Sequence, residues 1–135
     1  MVVDGYNVLN TWGMTDNSLN LEAARDDLTG ILSDFAGYQD IGVILIFDAH
    51  MHSRPESEET RDRISIIYTK RYETADSRIE AMIKPLVRAH DRVTVVTADY
   101  TLQLFVLTAG ALRMSPNELK MRIEAERGRG VTGRF

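Results

Sequence analysis

Val2-Val3-Asp4-Gly5-Tyr6-Asn7-Val8 is the stretch whose reading decides the fold. A short apolar run ends on a carboxylate, followed by a glycine and, two residues on, a polar amide. The pattern describes a buried strand delivering its last residue to the mouth of a sheet edge, where open α/β folds keep their chemistry. Three later apolar runs stop in the same way. Val43-Ile44-Leu45-Ile46-Phe47 ends at Asp48. Ser65-Ile66-Ile67-Tyr68-Thr69 comes shortly before Glu73 and Asp76, and Val93-Thr94-Val95-Val96-Thr97 precedes Asp99. Parallel strands would collect all of these carboxylates at one edge.

Between the strands the sequence supplies helices. Leu9 to Asn20 is polar and turn-rich, with Trp12 and Gly13 inside it, and is expected to be a connection. Asn20 is an N-cap residue for a helix to about Tyr38. Leu21, Ala24, Leu28, Ile31, Leu32 and Phe35 recur there at three- and four-residue steps, so one stripe should lie on the sheet. Met51 to Arg63 is charged, contains Pro55 and has no hydrophobic period, and is expected to be a long surface loop, with or without a helical turn. A helix starting at Glu73 or Thr74 buries Ala75, Ile79, Met82, Ile83, Leu86 and Val87, with a kink expected at Pro85. Asp99 caps or precedes a helix over Thr101 to Ala109 that Gly110 breaks. Ser115-Pro116-Asn117-Glu118 is a capping box opening a last helix to about Glu126. This alternation predicts an α/β sandwich with a mainly parallel sheet. One domain over residues 1–127 is expected, followed by a loose basic tail from Gly128 to Phe135.

Composition narrows the function. At 135 residues the chain fits one domain with a proper core, and its 44% hydrophobic content is ordinary for a globular protein. No apolar run approaches the roughly 20 residues of a membrane helix, and no signal-peptide pattern opens the chain. The absence of cysteine removes disulfides and thiolate metal sites and leans toward a reducing compartment. The expected setting is cytoplasmic, or an organelle interior for a fragment of a eukaryotic protein, and not secreted. A net charge of −4 argues against holding nucleic acid by bulk charge, while leaving room for local basic patches.

Asp4, Asp48, Asp76 and Asp99 come from separate segments, so their meeting is a claim about the fold. Clustered carboxylates repel unless cations compensate, and hard oxygen ligands select Mg²⁺ or Mn²⁺ over zinc. Such ions polarise a phosphate and lower the pKa of an attacking water. Taken singly, each acid has a duller role: Asp99 as a helix cap, Asp48 as a turn former. Glu73 and Asp76, three residues apart, share a helix face, and either serves as ligand or capping partner. Asn7 is close enough to Asp4 to orient a water or a phosphate. His50 and His52 form an H-x-H, a weak zinc signal without further ligands, expected to be solvent-exposed or to touch substrate. His90 is a helix-end residue. P-loop and nucleophile-elbow motifs are absent, and Tyr6 occupies the place of the second aspartate of a phosphoaspartyl phosphatase.

Val3-Asp4-Gly5-Tyr6-Asn7, Phe47-Asp48-Ala49-His50, Glu73-Thr74-Ala75-Asp76-Ser77, Thr97-Ala98-Asp99 with Gln103, and Gly110-Ala111-Leu112-Arg113 with Ser115 and Glu118 resemble the NYN domain family. They resemble in particular its YacP-like branch of PIN-like ribonucleases. The resemblance runs in order over nearly the whole chain, and E-T-A-D-S together with D-G-Y-N is its most specific part. It implies a PIN-like three-layer sandwich, a divalent-metal site and endoribonuclease activity on RNA, in mRNA or rRNA processing or decay at the ribosome. Position by position it makes Asp4, Asp48, Asp76 and Asp99 the acidic set, with Asn7 and Glu73 as flanking polar members. Arg113 falls where the branch carries a basic residue near the site; Arg71 and Arg78 are further candidates for phosphate contacts. The chain departs from the pattern at Arg78, where an aromatic or neutral residue is common, and in the charged Met51–Arg63 segment, where glycines are frequent. Two other readings stay open: a non-catalytic RNA- or ribosome-binding module, and a small-molecule phosphatase.

Overall fold

A computed structural model describes residues 1–15, 20–48 and 55–134, with the backbone alone for 129–134. Six strands form one sheet in the order β3-β4-β2-β1-β5-β6. β1 is Val2–Asp4, β2 Val43–Phe47, β3 Ser57–Arg61, β4 Ile64–Tyr68, β5 Thr94–Val96 and β6 Leu112–Met114. All pairings are parallel except β3 with β4. The helices are α1 (Gly5–Thr11), α2 (Leu21–Gln39), α3 (Ala75–Ala89), α4 (Tyr100–Thr108) and α5 (Pro116–Arg134).

Side chains alternate across the sheet, as the period of a strand requires. Val3, Leu45, Phe47, Ile66, Tyr68 and Val96 pack with Leu28, Leu32, Phe35, Leu119 and Ile123 on the α2–α5 face. Val2, Ile46, Ile67 and Val95 pack with Ala75, Ile79, Ile83, Leu102 and Val106 on the α3–α4 face. Apolar cores on both faces explain why the central strands read as unbroken hydrophobic runs. The fold is thus the expected α/β sandwich of three layers. No helix among the described residues is long and apolar enough to cross a membrane.

Expected caps are in place. The Asn20 side chain accepts from the Ala23 N–H, Thr74 from Ser77, Asp99 from Leu102, and Ser115 from Glu118. Gly110 follows α4 at a φ of 90°. α3 continues through Pro85 to Ala89.

Four elements differ from the sequence reading. The start of the connection expected at Leu9–Asn20 is helical, because α1 begins directly at Gly5 and buries Tyr6, Val8 and Leu9. Trp12 then donates from Nε1 to the Pro116 carbonyl at 2.8 Å, tying α1 to α5. Within the charged Met51–Arg63 segment, Ser57–Arg61 forms an edge strand antiparallel to β4, with Asp62 turning the chain at a φ of 52°. Its charges suit an edge, and its order comes from the backbone ladder rather than from burial. β6 was not foreseen, since only Met114 of its three residues is buried. α5 runs to Arg134, past the expected end near Glu126.

Gly5 marks the tightest passage in the fold. A Cβ there would lie 2.5 Å from Phe47 Cε1 and 2.9 Å from the Ile46 carbonyl oxygen. The ring could turn aside, but the backbone oxygen belongs to β2 and cannot. Gly5→Ala should therefore cost at least the roughly 1–3 kcal/mol typical of overpacking. Urea denaturation should show a lower midpoint with an unchanged slope; an unchanged midpoint would contradict this account.

Candidate functional site

The register of the central strands places the acids. Val3 pairs with Leu45 on one side and Val96 on the other, so β2 ends one residue beyond β1 and β5 one residue short of it. Asp4 is the last residue of β1, Asp48 follows β2 directly, and Asp99 caps α4 just beyond β5. Asp76 lies in the first turn of α3, which follows β4. These four carboxylates, with Tyr6, Asn7, Asn10, Thr15, Thr74 and Ala75, line one open cleft of about 520 Å³. No lysine or arginine lines it among the described residues.

Each acid is held differently. Asp4 is only 8% exposed. Burial, followed by the charges of Asp76, Asp48 and Asp99, pushes its carboxyl up to about 7, against the lowering effect of the Asn7 backbone N–H. Asp76 is likewise raised, by burial first and then by Asp99, Glu80 and Asp48. Asp48 Oδ2 accepts from the Ala75 N–H at 3.1 Å, and Asp99 Oδ1 from the Leu102 N–H at 2.8 Å. Asn7 Oδ1 accepts from the Ala98 N–H at 2.7 Å, clamping α1 to the β5–α4 loop. That loop is fixed further by Thr97, whose Oγ1 accepts from Asp99 N and whose carbonyl accepts from Gln103 Nε2.

Other candidates lie elsewhere. Glu73 is not among the cleft residues; its carboxylate accepts from Arg78 at 2.9 and 3.0 Å and from the Lys70 N–H. The Arg78 hydrogen bond is the main reason its pKa is lowered. Arg78 also reaches Glu56 at 3.4 Å, so its charge is largely matched inside the protein. Arg71 is exposed with its guanidinium 5.0 Å from the Tyr72 ring centroid. Arg113 is exposed on β6, opposite Val95. His50 and His52 lie outside the described residues, and His90 ends α3, at another cavity lined by Met1, Arg63 and Arg92.

The sequence reading missed Tyr6, Asn10 and Thr15 as cleft residues, having left α1 unrecognised. With Gly5 as a helix start, Tyr6 and Asn10 fall four apart on one face, and that spacing was the available signal. It also missed Arg25. This buried arginine of α2 donates from Nη1 to the Tyr6 hydroxyl at 3.1 Å, and its Nε has no hydrogen-bond partner among the described residues. A guanidinium bonded to a neutral phenol is costly to bury.

The YacP-like NYN domain model matches residues 1–131. The chain belongs to this family. It is 38% identical over 126 residues to YacP of Bacillus subtilis (strain 168), covering 92% of this chain and 74% of that relative. Among solved structures it resembles Rae1 (YacP) from Bacillus subtilis with a TM-score of 0.80 at 36% identity, over 95% of this chain and 75% of that one. The W164L mutant of Rae1 gives the same TM-score at 35% identity, over 95% and 76%. The NYN fold is nuclease-like, in keeping with the observed sheet and helices.

The donor set fits a hard divalent cation, because among the described residues every charged group lining the cleft is a carboxylate and no basic side chain lies beside them there. Among the described residues no three acids or histidines are yet grouped around a single metal-sized point. Uncompensated carboxylates repel, and a cation would be needed to draw them together.

Asp4 gives a pH signature. Its carboxyl titrates near 3.8 when unfolded and near 7 when folded, so between these values the native state holds a proton that the unfolded chain has lost. Stability should fall as pH rises through that window. Asp4→Asn should reduce the slope, leaving the smaller part due to Asp76, and should exceed wild type at about pH 8 in urea titrations. Mn²⁺ at that pH should raise the wild-type melting temperature and raise that of the variant less.

Proposed function

We propose that this protein is a divalent-metal-dependent endoribonuclease that hydrolyses RNA phosphodiester bonds. The observation that carries the reading is the convergence of Asp4, Asp48, Asp76 and Asp99, from four separate segments, on one cleft lined by no lysine or arginine among the described residues. Asp4 and Asp99 would hold the principal Mg²⁺ or Mn²⁺, with Asp48 and Asp76 completing the shell or taking the proton of the attacking water. Such an ion supplies phosphate polarisation and a lowered water pKa when bound. The chain itself supplies orientation. The Ala75 and Leu102 N–H groups each fix one carboxylate oxygen, of Asp48 and Asp99, and so set how each group faces the cleft. Asn10 and Thr15 add neutral hydrogen-bonding groups on the cleft wall, suited to the phosphate and sugar of a bound strand.

The partner is RNA, free or on the ribosome, in a cytoplasmic setting. Arg71 and Arg113 are the exposed candidates for phosphate contacts, which would make binding weaken with salt. Arg78 serves first as the partner of Glu73.

Wild-type protein with Mn²⁺ should cut a long single-stranded RNA internally, and chelator should stop it. Asp4→Asn should abolish cleavage while leaving the far-ultraviolet circular dichroism unchanged. Undiminished cleavage by that variant would refute the assignment. RNA held equally well in chelator and left uncut with Mn²⁺ would mark a binding module. Inorganic phosphate released from nucleoside monophosphates would mark a phosphatase.

A further inference from the structure

We infer that Tyr72 and Tyr100 are base-stacking platforms that grip a single-stranded RNA on the two flanks of the acidic cleft. The inference rests on the nuclease reading and adds how an acidic protein would hold its substrate.

Both rings are left out of the core. Tyr72 is 85% exposed and Tyr100 71%, the most exposed of the large hydrophobic side chains among the described residues. Tyr72 sits in the β4–α3 connection, which leads into the cleft residues Thr74, Ala75 and Asp76. Tyr100 is the first residue of α4, directly after Asp99. β4 and β5 lie on opposite sides of the β2–β1 pair, three strand spacings or about 14 Å apart. The two rings therefore cannot share one base. Each would serve its own base, with Asp4 and Asp48, at the ends of the two intervening strands, between them.

The backbone at Tyr72 points the same way. Its φ is 69°, left-handed and costly for a bulky side chain. The Glu73 N–H donates to the Lys70 carbonyl at 2.9 Å, making Arg71 and Tyr72 the tip of a β-turn. A turn with positive φ at its third residue ordinarily calls for glycine or asparagine. The strain is held by the Glu73 carboxylate, which accepts from the Lys70 N–H while pinned by Arg78. Tyrosine here returns no burial for that strain, so packing does not explain it. Arg71 lies over one face of the ring and brings a positive charge beside it.

Electrostatics supplies the need. A chain of net charge −4 with four carboxylates in its cleft does not attract phosphates by its overall field. Stacking is indifferent to that field, since every base has a π-face, and single-stranded RNA is commonly held on aromatic side chains.

In Mn²⁺-dependent cleavage of a single-stranded oligoribonucleotide, Tyr72→Ala and Tyr100→Ala should each raise KM about five- to 150-fold, with little change in kcat. Tyr→Trp at either position should keep the wild-type KM. Tyr72→Gly should raise KM as alanine does while increasing the melting temperature, because it relaxes the turn; a fall in melting temperature would show that the ring is structural. A wild type that cleaves normally beside a silent alanine variant overturns the platform on that flank and leaves the nuclease reading standing. A wild type that neither binds nor cuts RNA removes both.

Discussion

The placement of β1 between β2 and β5 is the constraint on which the molecule depends. β1 has only three residues, yet it pairs on both sides and ends in Asp4. Its C-terminal end is free to turn at once into α1 only because Gly5 carries no side chain against Ile46 and Phe47. Phe47 in turn packs between Tyr6 and Tyr68, with ring centroids 5.1 and 5.4 Å away. Tyr6, which lines the cleft, is thus backed by aromatic rings anchored in the sheet. A shift of one residue in this register would send Asp4 toward the other face and separate it from Asp48 and Asp99.

An acid cluster of this kind works against folding, and the surroundings show how that cost is contained. The first turns of α1, α3 and α4 all open at the cleft, and their N-terminal N–H groups favour negative charge there. The Asn7 N–H likewise favours the charged form of Asp4. These contributions do not neutralise the site, since Asp4 remains raised to about 7. The remaining imbalance is what a divalent cation would answer, and stability withheld at a site of this sort is the usual trade against activity.

Much of this was legible in the residues. Strands buried on both faces announce themselves as continuous β-branched runs, and Val43–Phe47 and Val93–Thr97 did so. Asn20, Thr74, Asp99 and Ser115 are capping residues whose chemistry is local, so their roles could be read without a fold. The acids could be nominated because parallel strands have one functional edge. What stayed hidden depended on neighbours distant in the chain. β3 is a strand because β4 offers it a ladder, and β6 because β5 does, while neither carries an apolar pattern of its own. α1 was obscured because its seven residues are too few to establish a period. Arg25 looks like any charged residue on a helix; only the packing of α2 over Tyr6 buries it.

The duller explanation of each aspartate and the functional one turn out to be compatible. Asp99 does cap α4, and Asp48 does bind the first N–H of α3, as helix and turn chemistry would have it. A carboxylate has two oxygens, and one given to the backbone fixes the direction of the other. Capping is therefore how the acids are oriented, and it uses hydrogen bonds the helices need in any case. Glu73 shows the opposite outcome from nearly the same position. Both its oxygens are taken by Arg78 and Lys70, which makes it a brace for the loop that carries Tyr72 rather than a member of the acid set. Glu73, clamped from both oxygens, faces Arg78 and the turn, whereas Asp48 and Asp99, each held by a helix N–H, line the cleft.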